Sequence, residues 1–306
     1  MASPSRSPRR TTLPWALLGL SSWAWFVVRD AWAPLDAMAV GLPVLGLAGL
    51  LAGGLASVRT GRMVPLAAGL SCAVAVAAAT LGPRAPEEAQ APGRPIRFAI
   101  ANVQRDNGTS TQAVAALRAQ QPDVVVALEM PEGFARELEQ AAKELAHHET
   151  RGEIGVWSRW PVRSQALPTG YPDVRLFRVL IEADQPFVLY AFHARNPLYE
   201  ESFADQRNLD LLLSAAAEQE GLPVVLAGDF NLSDRANGYR VLTGTYRDAM
   251  RAGTWASDTY DLHVWRTLLL RIDHLFVPLD WCADAPGTFD VPGSDHDGIA
   301  ATVGPC

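Results

Sequence analysis

Three stretches near the N-terminus are almost free of charge, and this limits where they can reside. Thr12–Val28 and Met63–Leu81 contain no charged residue, and Leu35–Ala56 contains only Asp36 at its edge. At ~1.5 Å per helical residue each is about long enough to cross a hydrocarbon core of ~30 Å. A core helix of a soluble domain normally keeps a polar face, and these segments have none. The pattern predicts a membrane domain over 12–82 with three transmembrane helices at 12–28, 35–56 and 63–81. A cleaved signal peptide would account for the first segment alone, but two more come after it. The Ala/Gly-rich third segment is also open to a re-entrant reading.

Trp23, Trp25 and Trp32 cluster near the end of the first segment, as an interfacial aromatic belt would. Arg9 and Arg10 precede that segment, and Arg59 and Arg62 fill the loop between the second and third. If all three cross, both loops share a side, and the positive-inside rule makes it cytoplasmic. An odd number of crossings then places everything after the third span outside the plasma membrane. Residues 1–11 are Ser/Pro/Arg-rich and read as a disordered cytoplasmic N-terminus. Residues 83–95 read as a linker of Gly, Pro, Ala and Glu without period. Extended at ~3.1 Å per residue, it would hold the C-terminal part of the chain tens of ångströms from the bilayer.

Charge separates the two parts. Of the 26 basic and 33 acidic residues, only six basic and two acidic ones lie in 1–82. The remainder, 83–306, is therefore strongly acidic and offers no basic stripe of the kind that holds nucleic acid by counterion release. A long polyanion is disfavoured as a partner, though a bound divalent cation would alter the local balance.

From Ile96 the pattern alternates between strand-like and helix-like stretches. Strands are expected at Ile96–Ala101, Asp123–Leu128, Ile154–Trp157, Arg175–Glu182, Phe187–Phe192, Val224–Ala227, Arg271–Val277 and Gly298–Val303. Helices are expected at Thr111–Gln120, Glu132–His148 and Glu201–Glu220, with a further element over Tyr239–Met250. This predicts one α/β domain over 96–306 with mixed sheets. Of the three cysteines, Cys72 falls in a predicted span and reads as inert packing. Cys282 and Cys306 would face an oxidising exterior, where both a disulfide and free thiols are open to them.

The strand ends carry the chemistry. The buried run Val224–Ala227 stops at Gly228 and at once presents Asp229 and Asn231. Ile96–Ala101 ends in Asn102, Asp123–Leu128 in Glu129, and Phe187–Phe192 in His193. Asp273-His274 lies inside another strand, and Ser294-Asp295-His296 precedes the last. Each has a plain structural reading: Asn102 and Asp295 as turn residues, Glu129 as a helix cap, His193 as a satisfied strand-end histidine, Gly-Asp-Phe-Asn as a turn. Together they are carboxylates, carboxamides and histidines without paired thiolates. Such a set suits a hard divalent cation, Mg²⁺ or Mn²⁺, with acid-paired histidines for proton transfer at phosphorus.

In order along the chain, Asn102, Pro122-Asp123…Leu128-Glu129, His193, Gly228-Asp229-Phe230-Asn231, Arg271-Ile272-Asp273-His274 and Ser294-Asp295-His296 resemble the motifs of the endonuclease/exonuclease/phosphatase superfamily, the DNase I-like proteins. The resemblance covers 96–306, and the multi-span N-terminus resembles the bacterial membrane-anchored branch. It implies a two-sheet α-β-β-α sandwich with the site at one edge. It also implies roles: Glu129 as main metal ligand with Asn102 beside it, and Asp229 orienting or deprotonating the attacking water. Asn231 would hold a phosphoryl oxygen, and His296, oriented by Asp273, would stabilise pentacovalent phosphorus. Asp295 would support metal or water, and His193 would contact the phosphate or assist the leaving oxygen. Two positions depart from the family pattern. Asp297 comes after His296, where it would either repel an anionic substrate or face water, and Arg195 comes after His193-Ala194 as a phosphate clamp or an ordinary surface residue.

The leading expectation is a membrane-anchored, outward-facing, metal-dependent phosphohydrolase cleaving a phosphodiester or pyrophosphate, with a lipid-linked or small substrate favoured by the tether and the acidic domain. An extracytoplasmic nuclease of the same fold and a non-enzymatic binding module are the alternatives. A channel or transporter is disfavoured, because the spans hold no mid-membrane charge.

Overall fold

A computed structural model describes residues 9–29, 34–167, 175–195, 220–260 and 269–306. The chain divides into two compact units, one built on the N-terminal helices and one beginning at Arg84.

The first unit contains α1 (Arg9–Val28), α2 (Pro34–Thr60) and α3 (Val64–Leu81). Small residues let α2 and α3 approach closely: a Cβ on Gly53 would lie 2.4 Å from the Pro65 carbonyl oxygen, and one on Gly69 would lie 2.6 Å from that of Gly49. By length and composition two helices, Ala39–Thr60 and Val64–Arg84, can cross a membrane. This corrects the expectation of three. In α1 the apolar stretch is Leu13–Val28, shorter than those of the other two helices. At ~1.5 Å per residue it spans about 24 Å, short of the ~30 Å core.

The second unit is a sandwich of two mixed six-stranded sheets. In chain order its strands are β1 (Ile96–Asn102), β2 (Val124–Leu128), β3 (His147–Arg151), β4 (Ile154–Ser158), β5 (Val162–Ser164), β6 (Leu176–Ile181), β7 (Phe187–His193), β8 (Val224–Asp229), β9 (Tyr246–Asp248), β10 (Asp273–Pro278), β11 (Trp281–Phe289) and β12 (Gly298–Pro305). One sheet has the order β11-β12-β1-β2-β4-β3, and the other β5-β6-β7-β8-β10-β9.

The strands read as unbroken apolar runs because both faces are covered. In β8, Val225 and Ala227 point into the core between the sheets, while Val224 and Leu226 pack outward with Tyr239 and Leu242 of α6 (Asn237–Thr245). In β1, Phe98 and Ile100 face the inter-sheet core, and Ala99 and Ala101 face α4 (Ser110–Ala119) and α5 (Phe134–Ala141). The result is the expected α-β-β-α layering.

Three local expectations need revision. The helix expected over Glu132–His148 ends at Ala141, and His147–Arg151 is instead an edge strand paired antiparallel to β4. Gly152, at φ +59°, supplies the tight turn between them. The stretch over Tyr239–Met250 divides into the end of α6, β9 and a 3₁₀ turn at Ala249–Arg251. The residues from Arg84 to Gly93 do not hang free: they lie along the second unit, with Glu87 N donating to the Arg251 carbonyl at 2.8 Å, Gln90 N to Ala283 at 3.2 Å and Gly93 N to Pro305 at 2.8 Å. The helix expected at Glu201–Glu220 falls mostly outside the described residues. Cys282 and Cys306 form a disulfide with a Cα–Cα distance of 4.8 Å.

Candidate active site

Strand register assembles the site. Parallel pairing of β7 with β8 sets His193 beside Asp229, and antiparallel pairing of β8 with β10 sets Asp273 on the other side. Gly228 makes the approach possible. Its φ is +139°, and a Cβ there would lie 2.0 Å from the Phe192 carbonyl oxygen. In the other sheet β1 and β2 run parallel, so Asn102 and Glu129 emerge at the same end. Glu129 and Asn231 both hold positive φ, 49° and 46°. Asn tolerates this region, but for Glu it costs of the order of 1 kcal/mol, as held functional residues often do. The last loop is fixed by Gly293 at φ +83° and by Ser294, whose hydroxyl donates to the Asn102 carbonyl at 2.8 Å and accepts from His296 N at 3.0 Å.

Asp229 is the centre. Its Oδ2 accepts from Asn102 Nδ2 and from Asn231 Nδ2, each at 3.2 Å, and its Oδ1 accepts from Asn231 N at 2.7 Å. Nε2 of His193 lies 3.9 Å from Oδ2, and Nε2 of His296 lies 3.8 Å from the same atom. Each imidazole is held from behind by an acid. His296 Nδ1 is 2.9 Å from Asp273 Oδ2, and His193 Nδ1 is 2.5 Å from Glu153 Oε1. The Tyr260 ring packs edge-on against His296 with centroids 4.8 Å apart.

These contacts set the charges. Burial, and then the Asp273 carboxylate, push Asp229 up to about 6. Burial disfavours the His296 cation, but Asp273 and Asp229 outweigh it and raise the ring to about 10. Burial likewise opposes the His193 cation, and its hydrogen bonds to Glu129 and Glu153 carry it up to about 9. The His193 hydrogen bond, against burial, holds Glu129 down to about 2.

A divalent cation fits the donors present. Asp229, Asp273 and His296 bring one ligand-competent atom each within 4.8 Å of one another; with His296 held as a cation by Asp273, the two carboxylates are the members that can face a metal ion. Asp273 Oδ1 is buried with no hydrogen-bond partner among the described residues, an oxygen for which a cation would compensate. Glu129 and Asp295 add carboxylates on the walls of the cleft. Oxygen-rich sets of this kind suit Mg²⁺ or Mn²⁺.

The cleft measures about 540 Å³. Residues 99–296 match the model of the Endonuclease/Exonuclease/phosphatase family. The chain belongs to that family. Among solved structures, an endonuclease/exonuclease/phosphatase from Beutenbergia cavernae superposes with a TM-score of 0.55 at 21% identity, covering 69% of this chain and 72% of that one. Its counterpart from Bacteroides vulgatus gives 0.55 at 17%, covering 70% and 100%. A humanized D. rerio TDP2 gives 0.54 at 19%, covering 68% and 98%. At these identities the likeness concerns the fold. A comparison with curated proteins returned no match.

Within this endonuclease/exonuclease/phosphatase cleft stand Glu129, His193, Asp229, Asn231, Asp295 and His296, with Asp273 directly behind His296 and Asn102 behind Glu129. Asn102 turns its amide donor to Glu129 Oε1 at 3.0 Å, and its oxygen accepts from Gln104 N at 3.1 Å. Arg195 is exposed and does not line the cleft, where the guanidinium groups are those of Arg105 and Arg175. Asp297 is exposed and is not among the residues that line the cleft. Glu153 went unnoticed in the sequence. It sits in the turn between β3 and β4, and only the Arg-Gly-Glu-Ile turn signal marks that hairpin.

Proposed function

We propose that this protein is a membrane-anchored phosphohydrolase that cleaves a phosphodiester or pyrophosphate with the help of Mg²⁺ or Mn²⁺. One observation carries the reading: a single carboxylate oxygen, Asp229 Oδ2, lies between two acid-backed imidazoles at 3.8 and 3.9 Å. That arrangement gathers a base and two cationic donors around one small volume, the groups that proton transfer and charge stabilisation at a phosphoryl centre use. Asp229, with its raised pKa, takes a proton from the attacking water. Protonated His296, held by Asp273, donates to a non-bridging oxygen as negative charge builds on phosphorus. Asn231, its side chain fixed on the Ala194 carbonyl at 2.9 Å, keeps Asp229 aimed at the water. His193, protonated and backed by Glu153, donates to the departing oxygen as the P–O bond breaks. Glu129 and Asp295, with Asp229 at hand, are the groups that would hold the cation, which supplies charge neutralisation at the phosphoryl oxygens.

Anchoring and orientation rest on three supports. Two helices have the length and hydropathy to cross a membrane. Arg59 and Arg62 mark the loop between them as cytoplasmic, which leaves everything after α3 outside. The Cys282–Cys306 disulfide suits an oxidising exterior. An enzyme so placed meets phosphate esters at the membrane surface, which favours a lipid-linked substrate over nucleic acid. The acidic character of 83–306 points the same way.

The test is hydrolysis by the full chain in detergent, with Mg²⁺, Mn²⁺ or EDTA, against undecaprenyl pyrophosphate, sphingomyelin, a glycerophospholipid and duplex DNA, read as the phosphate or phosphomonoester product by mass spectrometry and gel. EDTA-sensitive turnover of a lipid, lost in Asp229→Ala and His296→Ala, is the expected result. Turnover of DNA alone would overturn the substrate assignment, and inactivity on all four would overturn the enzymatic reading.

A further inference from the structure

Arg84 is the first residue of the second unit, and it comes just after the apolar helix. Its side chain is buried. Nε donates to Asp234 Oδ2 at 2.6 Å, and Nη1 pairs with Asp258. Both acids belong to loops that build the active site. Asp234 lies three residues beyond Asn231, in the loop that leaves β8 with Asp229 at its start. Asp258 lies two residues before Tyr260, whose ring packs on His296. The residue between them, Thr259, accepts at its hydroxyl from Ile272 N and Asp273 N at 3.0 and 3.1 Å. Arg84 O accepts from Ala256 N at 3.1 Å, a further tie to the same loop.

We propose that Arg84 is a positioning residue for the hydrolytic reaction: it bridges the Asp229–Asp234 loop to the Ala256–Tyr260 loop and so fixes Asp229 and His296 relative to each other. The inference rests on the phosphohydrolase reading for its kinetic consequence, and on geometry alone for the bridge. Among the described residues no strand pairing joins β8 directly to the Ala256–Tyr260 loop, whose backbone ties run to Leu270 and His296 instead, so Arg84 is a direct side-chain link between the two loops. Asp234 is fully buried, and its other basic neighbours reach it only at 3.5 Å (Arg271) and 3.7 Å (Arg235). The 2.6 Å bond from Arg84 is therefore its short contact, and the same guanidinium holds Asp258 at the far side. A bidentate, planar cation suits a bridge between two carboxylates in different loops.

The experiment compares wild type, Arg84→Ala, Arg84→Lys and Glu87→Gln as full chains in detergent, with Mn²⁺ and bis-p-nitrophenyl phosphate. Glu87 is a control from the same segment, paired with Arg251 at 2.7 Å away from the cleft. Misplacing catalytic groups by a fraction of an ångström costs rate more than binding, so Arg84→Ala should lose roughly 10- to 100-fold in kcat with KM within about twofold. Arg84→Lys, which keeps the charge but reaches one acid at a time, should recover part of that loss, and Glu87→Gln should match wild type. Amide hydrogen exchange by mass spectrometry reads the bridge without activity. Arg84→Ala should accelerate exchange in 230–236 and 256–260 and leave β1 and β2 unchanged. Wild-type kcat in Arg84→Ala, no recovery in Arg84→Lys, or exchange that rises equally in β1 and β2 would each overturn the proposal. If wild type itself turns over no phosphodiester, the hydrolase reading fails and the exchange data alone decide the bridge.

Discussion

Asp273 stands directly opposite Asp229 across the antiparallel pair of β10 and β8. Two carboxylates as cross-strand partners repel, and both are buried. The arrangement persists because His296 Nδ1 lies 2.9 Å from one and its Nε2 lies 3.8 Å from the other. Replacing Asp273 by Asn keeps the shape and removes one charge. His296 should then titrate below its present value of about 10 and Asp229 below about 6. Histidine NMR titration of the metal-free protein reads the first directly. Loss of a group that sets both base and acid should lower kcat by about 10²- to 10⁴-fold. An unchanged His296 titration would mean that Asp273 does not hold the ring's charge.

Glu153 should matter as much as the motif residues, although no motif contains it. Glu153→Gln removes the anion behind His193 Nδ1 at 2.5 Å, so His193 should titrate lower and kcat fall by about 10-fold or more. If the two act as a pair, Glu153→Gln in a His193→Ala background should add little further loss. Additive losses in that double-mutant cycle would separate them.

Glu129 carries its charge into the cleft at any working pH, since its carboxyl is held down to about 2. Glu129→Gln should raise the Mn²⁺ concentration for half-maximal activity by at least ~10-fold, with a matching loss of affinity by calorimetry. Equal affinity in the variant would place the cation elsewhere in the cleft.

His274 gives the fold an acid limit. The ring is fully buried against Phe230, Phe276 and Tyr239, and burial, with the Arg271 charge, depresses it from 6.5 to about 4. The unfolded chain therefore takes up a proton that the folded chain refuses. The contribution to stability is complete above about 6.5 and is lost as pH falls toward 4, at most about 3 kcal/mol. Urea unfolding at pH 7 and pH 4.5 should show a smaller difference for His274→Gln than for wild type. Equal differences would assign acid sensitivity to other groups.

The disulfide closes a segment with a sequence separation of 24 and ties the final residue to β11. Chain-entropy bookkeeping gives about 3.5 kcal/mol for a loop of this size. For a domain of this length, reduction should lower Tm by roughly 7–14 °C. Scanning calorimetry with and without dithiothreitol measures it, and a shift under about 2 °C would show that the bridge contributes little.

Much of this fold was legible in the sequence because the sandwich buries both faces of its central strands. Ile96–Asn102, Val124–Leu128 and Val224–Asp229 therefore read as apolar runs with functional groups at their ends. Where a strand lies at an edge the signal fades. His147–Arg151 is polar and largely exposed, so it read as a continuation of α5, and Glu153 in the adjoining turn was lost with it. Trp281–Phe289 was missed for a related reason: its pairing with β12 slips between Asp284 and Gly287, in a stretch with Pro286 and Gly287 that lacks alternation. Arg84 was invisible for a third reason. Its meaning depends on Asp234, 150 residues away, and no local pattern announces a contact of that separation.

The same Arg84 settles where this catalytic unit begins for anyone who would cut it from its helices. Secondary structure suggests a soluble fragment starting at Ile96, the first strand residue. Such a fragment would discard the guanidinium that neutralises buried Asp234, the Glu87 and Gly93 backbone bonds, and the tie from Arg84 to Ala256. Its kinetics would describe a sandwich whose catalytic loops had been released, and low activity would be misread as the wrong substrate. A fragment for crystallisation or assay should carry Arg84 at its head.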